Sequence, residues 1–229
     1  MRTNDVAGTA GVSPAESVEQ PKGWYSRGYI PHFDAPELLQ FITFRLHDSM
    51  PSDLIKQWQD ELSTQPKQKR ENELRSRILK YIDNAEGACY LRQPSIAEQM
   101  EQALLHGDGN NYHLLSWIVM PNHVHTLIEV TGKASLSSIV QSWKSYTAHQ
   151  ANKLLGRESP FWYREYYDRF IRDREHYLNV ISYIHHNPVK AGLCASPENW
   201  RWSSAWRLGE SFVETKNESA GETPALPAT

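Results

Sequence analysis

The sequence contains only two cysteines, Cys89 and Cys194, and they lie far apart in the 229-residue chain. Two distant cysteines provide neither a disulfide framework nor a zinc knuckle, since both need several thiols at defined spacings. No apolar run approaches the roughly 18 residues of a membrane span, and no basic segment followed by an apolar core stands at the N-terminus. These absences predict a cytoplasmic protein without a secretory signal.

The chain also lacks the positive charge that often accompanies nucleic-acid binding, because its formal net charge is −3. The negative charge is concentrated at the ends. Residues 1–22 sum to −1 and residues 208–229 to −3, so residues 23–207 carry +1. Binding to nucleic acid through local basic patches is therefore compatible with the sequence.

Both ends of the chain are rich in small residues, Glu and Pro and have no apolar period. This composition predicts a disordered arm over residues 1–22 and a disordered acidic tail over residues 208–229. The chain as a whole has 39% hydrophobic and 11% aromatic residues. That content is sufficient for a folded domain, which we assign to residues 23–207.

The spacing of apolar residues within this domain predicts strands and helices in turn. Residues 39–46, 112–120 and 123–130 are rich in β-branched and aromatic residues and predict three strands, the last two an antiparallel pair. Helical spacing of apolar residues predicts helices over 51–65, 94–107, 135–155 and 173–187. The charged run 66–73 leads into a further predicted helix that carries Leu74, Ile78, Leu79 and Ile82. Leu154 is expected on the buried stripe of the helix over 135–155. Pro188 is expected to end the helix over 173–187, because the residue before a proline avoids the helical region.

Two aromatic stretches have no regular period. Residues 23–33 are interpreted as irregular, and their Trp24 and Arg27 could either stack on unpaired bases or cover an edge of the core. Residues 160–172 are aromatic and basic and predict a short strand or two with loops. The order of all elements indicates an α+β fold, in which helices pack on an antiparallel sheet.

His123 and His125 occupy positions i and i+2 of one predicted strand. Because side chains alternate along a strand, both imidazoles project from the same face and make a good start to a divalent metal site. Tyr183 and Asn187 stand four residues apart near the end of the last predicted helix, and so share one of its faces. Asn187 could supply a third ligand through its amide oxygen, which would leave Tyr183 close to a bound phosphate.

This combination of side chains suits the attack of a tyrosine on a DNA phosphodiester. A tyrosine hydroxyl has a pKa near 10 and is a weak nucleophile until it loses its proton. A cation on the two histidines would polarise the phosphoryl group and neutralise the charge that builds on its oxygens. The expected product is a covalent phosphotyrosine.

Other tyrosines and histidines compete for these roles. Tyr146 lies on a predicted helix, and Tyr166 and Tyr167 lie in the aromatic stretch, but only Tyr183 has an amide at i+4. His185 and His186 are interpreted as partly exposed residues or DNA contacts, although His186 is the best substitute for Asn187 as a third ligand.

Four cations near the end of the domain are candidate contacts to DNA phosphates, namely Arg164, Arg169, Arg172 and Lys190. Trp24 and Arg27 are candidates for the same surface. Arg169 could instead be held in an ion pair by Asp168 or Glu165.

Four parts of the sequence resemble known proteins. Met120 to His125, Met-Pro-Asn-His-Val-His, resembles the His-hydrophobic-His motif of single-tyrosine, HUH-type endonucleases. Residues 166–173 and 182–193, the latter Ser-Tyr-Ile-His-His-Asn-Pro-Val-Lys-Ala-Gly-Leu, resemble the REP-associated tyrosine transposases, as do residues 24–36. The matches follow the same order across residues 23–206.

The resemblance implies a ferredoxin-like core of the HUH endonuclease type with a Mg²⁺ or Mn²⁺ cofactor. It implies cleavage of single-stranded DNA at hairpin-forming repetitive extragenic palindromes, with a 5′-phosphotyrosine link and a free 3′-hydroxyl. His123 and His125 correspond to the metal pair and Tyr183 to the nucleophile, whereas Asn187 stands where related insertion-sequence enzymes have a glutamine. The helical stretch 48–86 looks longer than a minimal family core and is interpreted as an insertion.

Three functions are compatible with these observations. The first is a nuclease and strand transferase, and the second is a non-catalytic protein that binds DNA or RNA hairpins on the same fold. The third, a metal hydrolase of small phosphoesters, leaves the tyrosine and the aromatic, basic surface without a role. The sequence indicates no protein partner and is compatible with a monomer or a homodimer.

Overall fold

The computed structural model describes the backbone of residues 23–26, 31–34, 38–131 and 134–209, and side chains from residue 38 onward. Two short strands, β1 (Gly23–Ser26) and β2 (Pro31–Asp34), pair with each other as an antiparallel hairpin. The other strands form one antiparallel sheet and are β3 (Leu39–Leu46), β4 (Tyr112–Val119), β5 (His123–Val130) and β6 (Trp162–Phe170).

In the described ranges, five α-helices pack around this four-stranded sheet. They are α1 (Ser52–Glu61), α2 (Lys67–Ile82), α3 (Pro94–His106), α4 (Leu136–Leu155) and α5 (Arg174–Lys190). The order of strands across the sheet is β4-β5-β3-β6, and every neighbouring pair is antiparallel. A β-α-β-β-α-β path with this order is the ferredoxin-like arrangement, so the α+β prediction is confirmed.

One face of the sheet is covered by α3 and α4. Alternate residues of the strands, among them Phe44 and Ile128, pack there against Met100 of α3 and Trp143 of α4. The first turn of α4 is fixed by Ser135, whose hydroxyl accepts a hydrogen bond from the Ser138 N–H at 3.2 Å. This side of the molecule is the main hydrophobic core and positions the strands that carry the site.

The opposite face is shared by α5 and by the helical hairpin, our name for residues 52–83, which contain α1, α2 and the C-cap residue of α2. α5 packs on Ile118 and Leu127, and the helical hairpin packs on Tyr163 and Tyr167 of β6. The register places Thr43 opposite His125 and Arg45 opposite His123. The two histidines therefore lie on the face that these helices cover.

The prediction that Pro188 ends the last helix is wrong, since α5 continues to Lys190. Proline has no N–H to donate to the Ile184 carbonyl. The turn persists because the following groups are bonded: the Ala191 N–H donates to the Asn187 carbonyl at 3.0 Å, and the Leu193 N–H donates to the Pro188 carbonyl at 2.9 Å.

Three further predictions need correction. The aromatic stretch forms one nine-residue strand, because β6 pairs with β3 on both sides of a bulge. Residues 23–33 are not irregular throughout, since they contain β1 and most of β2. Leu154 is 55% exposed, because Ala151 and Leu155 carry the buried stripe to the end of α4.

The predicted arm over residues 1–22 and nearly all of the predicted tail lie outside the described residues, as does Arg27. Trp24 lies in β1, but its side chain is outside the described part. None of the helices in the described ranges is long and apolar enough to cross a membrane.

Candidate active site

His123 and His125 are fully buried at the start of β5, with their Nε2 atoms 2.9 Å apart. The other ring nitrogen of each histidine, Nδ1, contacts a neighbouring side chain. His123 Nδ1 lies 2.7 Å from Asn122 Oδ1, and His125 Nδ1 lies 2.7 Å from Thr43 Oγ1. Contacts of this kind fix the orientation of both rings and direct the Nε2 atoms to a common point, as in metal sites.

Asn122 is oriented by a hydrogen bond of its own. Its Nδ2 donates to the Glu86 carbonyl at 2.9 Å, which turns Oδ1 toward His123. Oδ1 accepts a hydrogen bond from His123 Nδ1, and this tautomer leaves a lone pair on Nε2 for a cation. The sequence indicated a turn at Pro121-Asn122 but gave no sign of this supporting contact.

Asp83, the residue that follows α2, brings a carboxylate to the same point. Its Oδ1 lies 3.5 Å from Nε2 of both histidines and is buried without a hydrogen-bond partner. Ligand bonds of about 2.1 Å place neighbouring ligand atoms roughly 3.0 to 3.4 Å apart, close to these separations. Within the described residues, Asp83, His123 and His125 are a group that could hold a metal ion.

The electrostatics of this group favour the protonation states that bind metal. Burial alone would raise the pKa of Asp83, but the neighbouring His125, with a smaller effect of His123, lowers it to about 2. The pKa of His123 is well below its ordinary value, first because of burial and then because of His125. An ionised carboxylate beside a neutral imidazole is the form in which such ligands bind a cation.

The loop after Asp83 is anchored to the turn that follows β3. Asp48 Oδ2 accepts a hydrogen bond from the Ala88 N–H at 2.9 Å. Gly87 has φ +94°, and a Cβ there would lie 2.8 Å from the Asp48 carbonyl oxygen. Only glycine suits this backbone and this approach. The loop therefore holds the end of α2, and with it Asp83, against the sheet.

Tyr183 extends from α5 into the same centre. Its hydroxyl donates a hydrogen bond to Asp83 Oδ2 at 2.9 Å and lies 3.4 Å from His125 Nε2. Phe41 supports both rings, since it stacks on His125 and meets Tyr183 edge-on. Burial, and then the charge and hydrogen bond of Asp83, raise the pKa of Tyr183. The hydroxyl therefore keeps its proton unless positive charge is added nearby.

Asn187 lies one turn beyond Tyr183 and is buried. Its Nδ2 is 3.4 Å from His125 Nε2, and its Oδ1 has no hydrogen-bond partner. A half-turn about the last side-chain bond exchanges these two atoms and would present the oxygen to the centre. Two orphaned oxygens, one on Asp83 and one on Asn187, beside two imidazole nitrogens fit the donor set of a divalent cation.

The competing tyrosines lie elsewhere. Tyr146 is 41% exposed on α4, and Tyr166 is buried in the core beneath α3 and α4. Tyr167 is on the histidine face but is buried against the helical hairpin. Among the described tyrosines, Tyr183 is the one whose hydroxyl contacts either histidine.

The two histidines that follow Tyr183 do not reach the centre. His185 Nε2 lies 3.1 Å from Ser116 Oγ and 2.9 Å from Ser204 Oγ, so it joins α5 to β4 and to the C-terminal segment. His186 Nδ1 lies 2.9 Å from the Ser182 carbonyl on the exposed side of α5. The structure thus brings Asp83 and Asn187, rather than His186, to the histidine pair.

The predicted DNA-contacting cations lie on β6, on α5 and in the short segment between them. Lys190 Nζ lies 5.5 Å from the centre of the Tyr183 ring. Arg169 and Arg172 are close enough for the charge of Arg172 to lower the pKa of Arg169, although burial lowers it more. Arg164 is exposed nearer the start of β6. Arg169 forms no ion pair within the described ranges, so the alternative pairing with an acidic neighbour on β6 is not seen.

Residues 92–187 match the family model described as Transposase IS200 like. The chain is 27% identical over 118 residues to a Haemophilus influenzae protein named "Putative REP-associated tyrosine transposase", over 47% of this chain and 66% of that protein. It is 25% identical over 97 residues to the REP-associated tyrosine transposase of Escherichia coli, over 42% of this chain and 56% of that protein. The chain thus spans about half to two thirds of the length of these curated relatives.

A solved structure of a REP-associated tyrosine transposase bound to a REP hairpin aligns with 86% of this chain and 91% of its own, with a TM-score of 0.48 and 17% sequence identity. The segment matched by the family model contains His123, His125, Tyr183 and Asn187, whereas Asp83 precedes it. The family and curated matches confirm the resemblance that the sequence motifs indicated.

Proposed function

We propose that this chain is an IS200-like transposase, a metal-dependent nuclease and strand transferase that cuts single-stranded DNA at hairpin-forming palindromes. The observation that carries the proposal is the position of the Tyr183 hydroxyl, 2.9 Å from Asp83 Oδ2 and 3.4 Å from His125 Nε2. A nucleophile, a carboxylate and two imidazoles thus converge at one point. The substrate would place the protein on DNA in the cytoplasm.

The residues that would hold Mg²⁺ or Mn²⁺ are His123, His125 and Asp83, with Asn187 able to add its amide oxygen. When bound, the cation supplies a Lewis acid that polarises the phosphoryl group and neutralises charge on its oxygens. Carboxylate and amide oxygens suit Mg²⁺ and Mn²⁺, and imidazole nitrogens favour transition metals such as Mn²⁺ more than Mg²⁺.

The chain's own residues bind, orient and attack the scissile phosphate. Tyr183 Oη forms a bond to phosphorus while the bond from phosphorus to the 3′-oxygen breaks. The 5′-phosphate becomes linked to the tyrosine, and the released 3′-oxygen takes up a proton. Asp83 Oδ2 accepts the hydrogen of the Tyr183 hydroxyl, so the nucleophile is held at the site before DNA arrives and its proton has a nearby acceptor.

Asp83→Asn is expected to weaken Mn²⁺ binding by about tenfold or more, because the amide keeps the shape of the side chain but removes its charge. The rate of DNA–protein adduct formation should fall as well, since Tyr183 would lose a charged hydrogen-bond acceptor. Isothermal titration with Mn²⁺ measures the first effect, and denaturing gels of labelled DNA measure the second.

Asp60→Asn is the matched control, because Asp60 is exposed on the same helical hairpin and lies outside the centre. It should leave both measurements unchanged. Unaltered Mn²⁺ affinity in Asp83→Asn would show that Asp83 is not a ligand.

Protein should react with a single-stranded hairpin and not with the same sequence as a perfect duplex. The half-buried Tyr183 side chain extends from α5 to Asp83 at the end of α2, so the scissile bond must enter as a flexible strand with unpaired bases. Both substrates carry the same label and are compared on denaturing gels. Binding to the hairpin should also weaken steeply with salt if arginines of residues 164–172 contact phosphates. Equal cleavage of the two forms would contradict the single-strand assignment.

A further inference from the structure

A cavity of about 260 Å³ lies beside Tyr183, between α2, α5 and the sheet. It is lined by Phe41 and Tyr167 of the sheet, Arg75 of α2, Asp168 and Arg169 of β6 and Asn179 of α5. Tyr183 forms part of the same wall, so any molecule in the cavity would lie against the candidate nucleophile.

The polar lining of this cavity is rich in positive charge. Arg75 Nε is buried and has no hydrogen-bond partner. Arg75 and Arg169 line the same cavity, and the pKa of Arg169 is lowered by burial and then by the charges of Arg172 and Arg75. Within the described part of the chain, neither Arg75 nor Arg169 forms an ion pair. Asp168 also lines the cavity, so two guanidinium groups face one carboxylate residue there. Clustered guanidinium groups in excess of acidic groups are stabilised when an anion binds between them.

The remaining lining suits a nucleobase. Phe41 is half-buried and provides aromatic surface of the kind on which unpaired bases stack, and the buried Tyr167 also lines the cavity. Asn179 offers both a donor and an acceptor to the edge of a base. The volume is slightly below the roughly 300 Å³ at the lower end of small-molecule pockets, so the cavity fits one nucleotide and excludes a duplex.

We propose that this cavity binds one nucleotide of single-stranded DNA next to the phosphate that Tyr183 attacks. Arg75 and Arg169 bind its phosphate, and Phe41 and Tyr167 contact its base. The inference rests on the proposed function, because it takes Tyr183 as the nucleophile. Arg75 precedes the matched segment 92–187. In this proposal the helical hairpin supplies both the candidate metal ligand Asp83 and a phosphate contact, Arg75.

Arg75→Gln tests the cavity through binding alone. Fluorescence anisotropy with a labelled hairpin that has unpaired flanks gives Kd, and all proteins carry Tyr183→Phe so that cleavage plays no part. Arg75→Gln should raise Kd about tenfold and reduce the slope of log Kd against log salt by roughly 0.7, the value for one phosphate contact on a single strand. Lys80→Gln is the control, since Lys80 is exposed on the same helix and the charge change is identical.

An abasic scan provides a second measurement that needs no change at Arg75. Each nucleotide flanking the cleavage position, mapped with wild-type protein, is replaced in turn by an abasic unit. One flanking position should raise Kd several-fold, and positions outside the flanks should have little effect. The nucleotide site would be overturned if every abasic position changed Kd equally. It would also be overturned if Arg75→Gln and Lys80→Gln had equal Kd in proteins of equal thermal stability. Failure of the proposed function would appear differently, as the absence of any covalent adduct with wild-type protein.

Discussion

Tyr183→Phe should abolish the covalent link between protein and DNA and leave DNA affinity nearly unchanged. The substitution removes one oxygen and keeps the ring that meets Phe41 edge-on, so folding should change little. The lost oxygen is the nucleophile, and removal of a nucleophile typically costs more than about 10³-fold in rate. Wild-type protein incubated with 3′-labelled hairpin and Mn²⁺ should give a band that survives SDS and boiling but disappears with protease.

The label must lie on the 3′ side of the cut, because that fragment carries the 5′-phosphate joined to tyrosine. Tyr146→Phe, Tyr166→Phe and Tyr167→Phe are the controls and should retain the band, since none of these hydroxyls contacts the histidines. Adduct formation by Tyr183→Phe would show that Tyr183 is not the nucleophile. If wild-type protein forms no adduct on any hairpin, a non-catalytic hairpin-binding function becomes the better explanation.

Local patterns predicted most of the sheet. β3 has the predicted bounds because its β-branched and aromatic residues suit the pleated, buried surface of a strand. Pro188 shows where a local rule fails. The bonds around it are kept because α5 is packed on the sheet through residues such as Ile184, and this packing outweighs the loss of one hydrogen bond.

The candidate site likewise combines residues that local spacing predicts with a residue that depends on tertiary packing. The period of a strand placed His123 beside His125, and the period of a helix placed Tyr183 beside Asn187, so short spacings were sufficient to pair them. Asp83 could not be found in this way. It lies 40 residues before His123, and in sequence nothing separates it from Asp60 on the same helical hairpin.

The position of Asp83 depends on tertiary packing. Leu74 and Ile78 of α2 pack in the same hydrophobic cluster as Tyr167 of β6, which directs the end of α2 toward the histidines. Arg75 reaches the cavity for the same reason. The helical stretch 48–86, interpreted from sequence as an insertion without a known role, therefore supplies two side chains to the candidate site.

Replacement of both His123 and His125 by alanine should abolish cleavage and Mn²⁺ binding while hairpin binding survives. Loss of two imidazoles removes most of the candidate donor set, whereas phosphate contacts and base stacking need no ion. Denaturing gels, titration with Mn²⁺ and anisotropy measure the three properties. His113→Ala is the control, because His113 is an exposed histidine of β4. Full cleavage by the double variant, or by wild-type protein in EDTA, would exclude this metal site.

The double variant should also change how stability depends on pH. In the wild type, the pKa of Asp83 is about 2 in the folded protein, below the value near 3.9 of an unfolded chain. This difference stabilises the fold above about pH 4, and the contribution is lost as the pH falls toward 2. Without the histidines, burial dominates and raises the pKa of Asp83, so the carboxylate should instead destabilise the fold at neutral pH. Urea unfolding at pH 7 and pH 3 should therefore show a larger loss of stability at pH 7. An equal loss at both pH values would show that the histidines do not hold Asp83 in its ionised form.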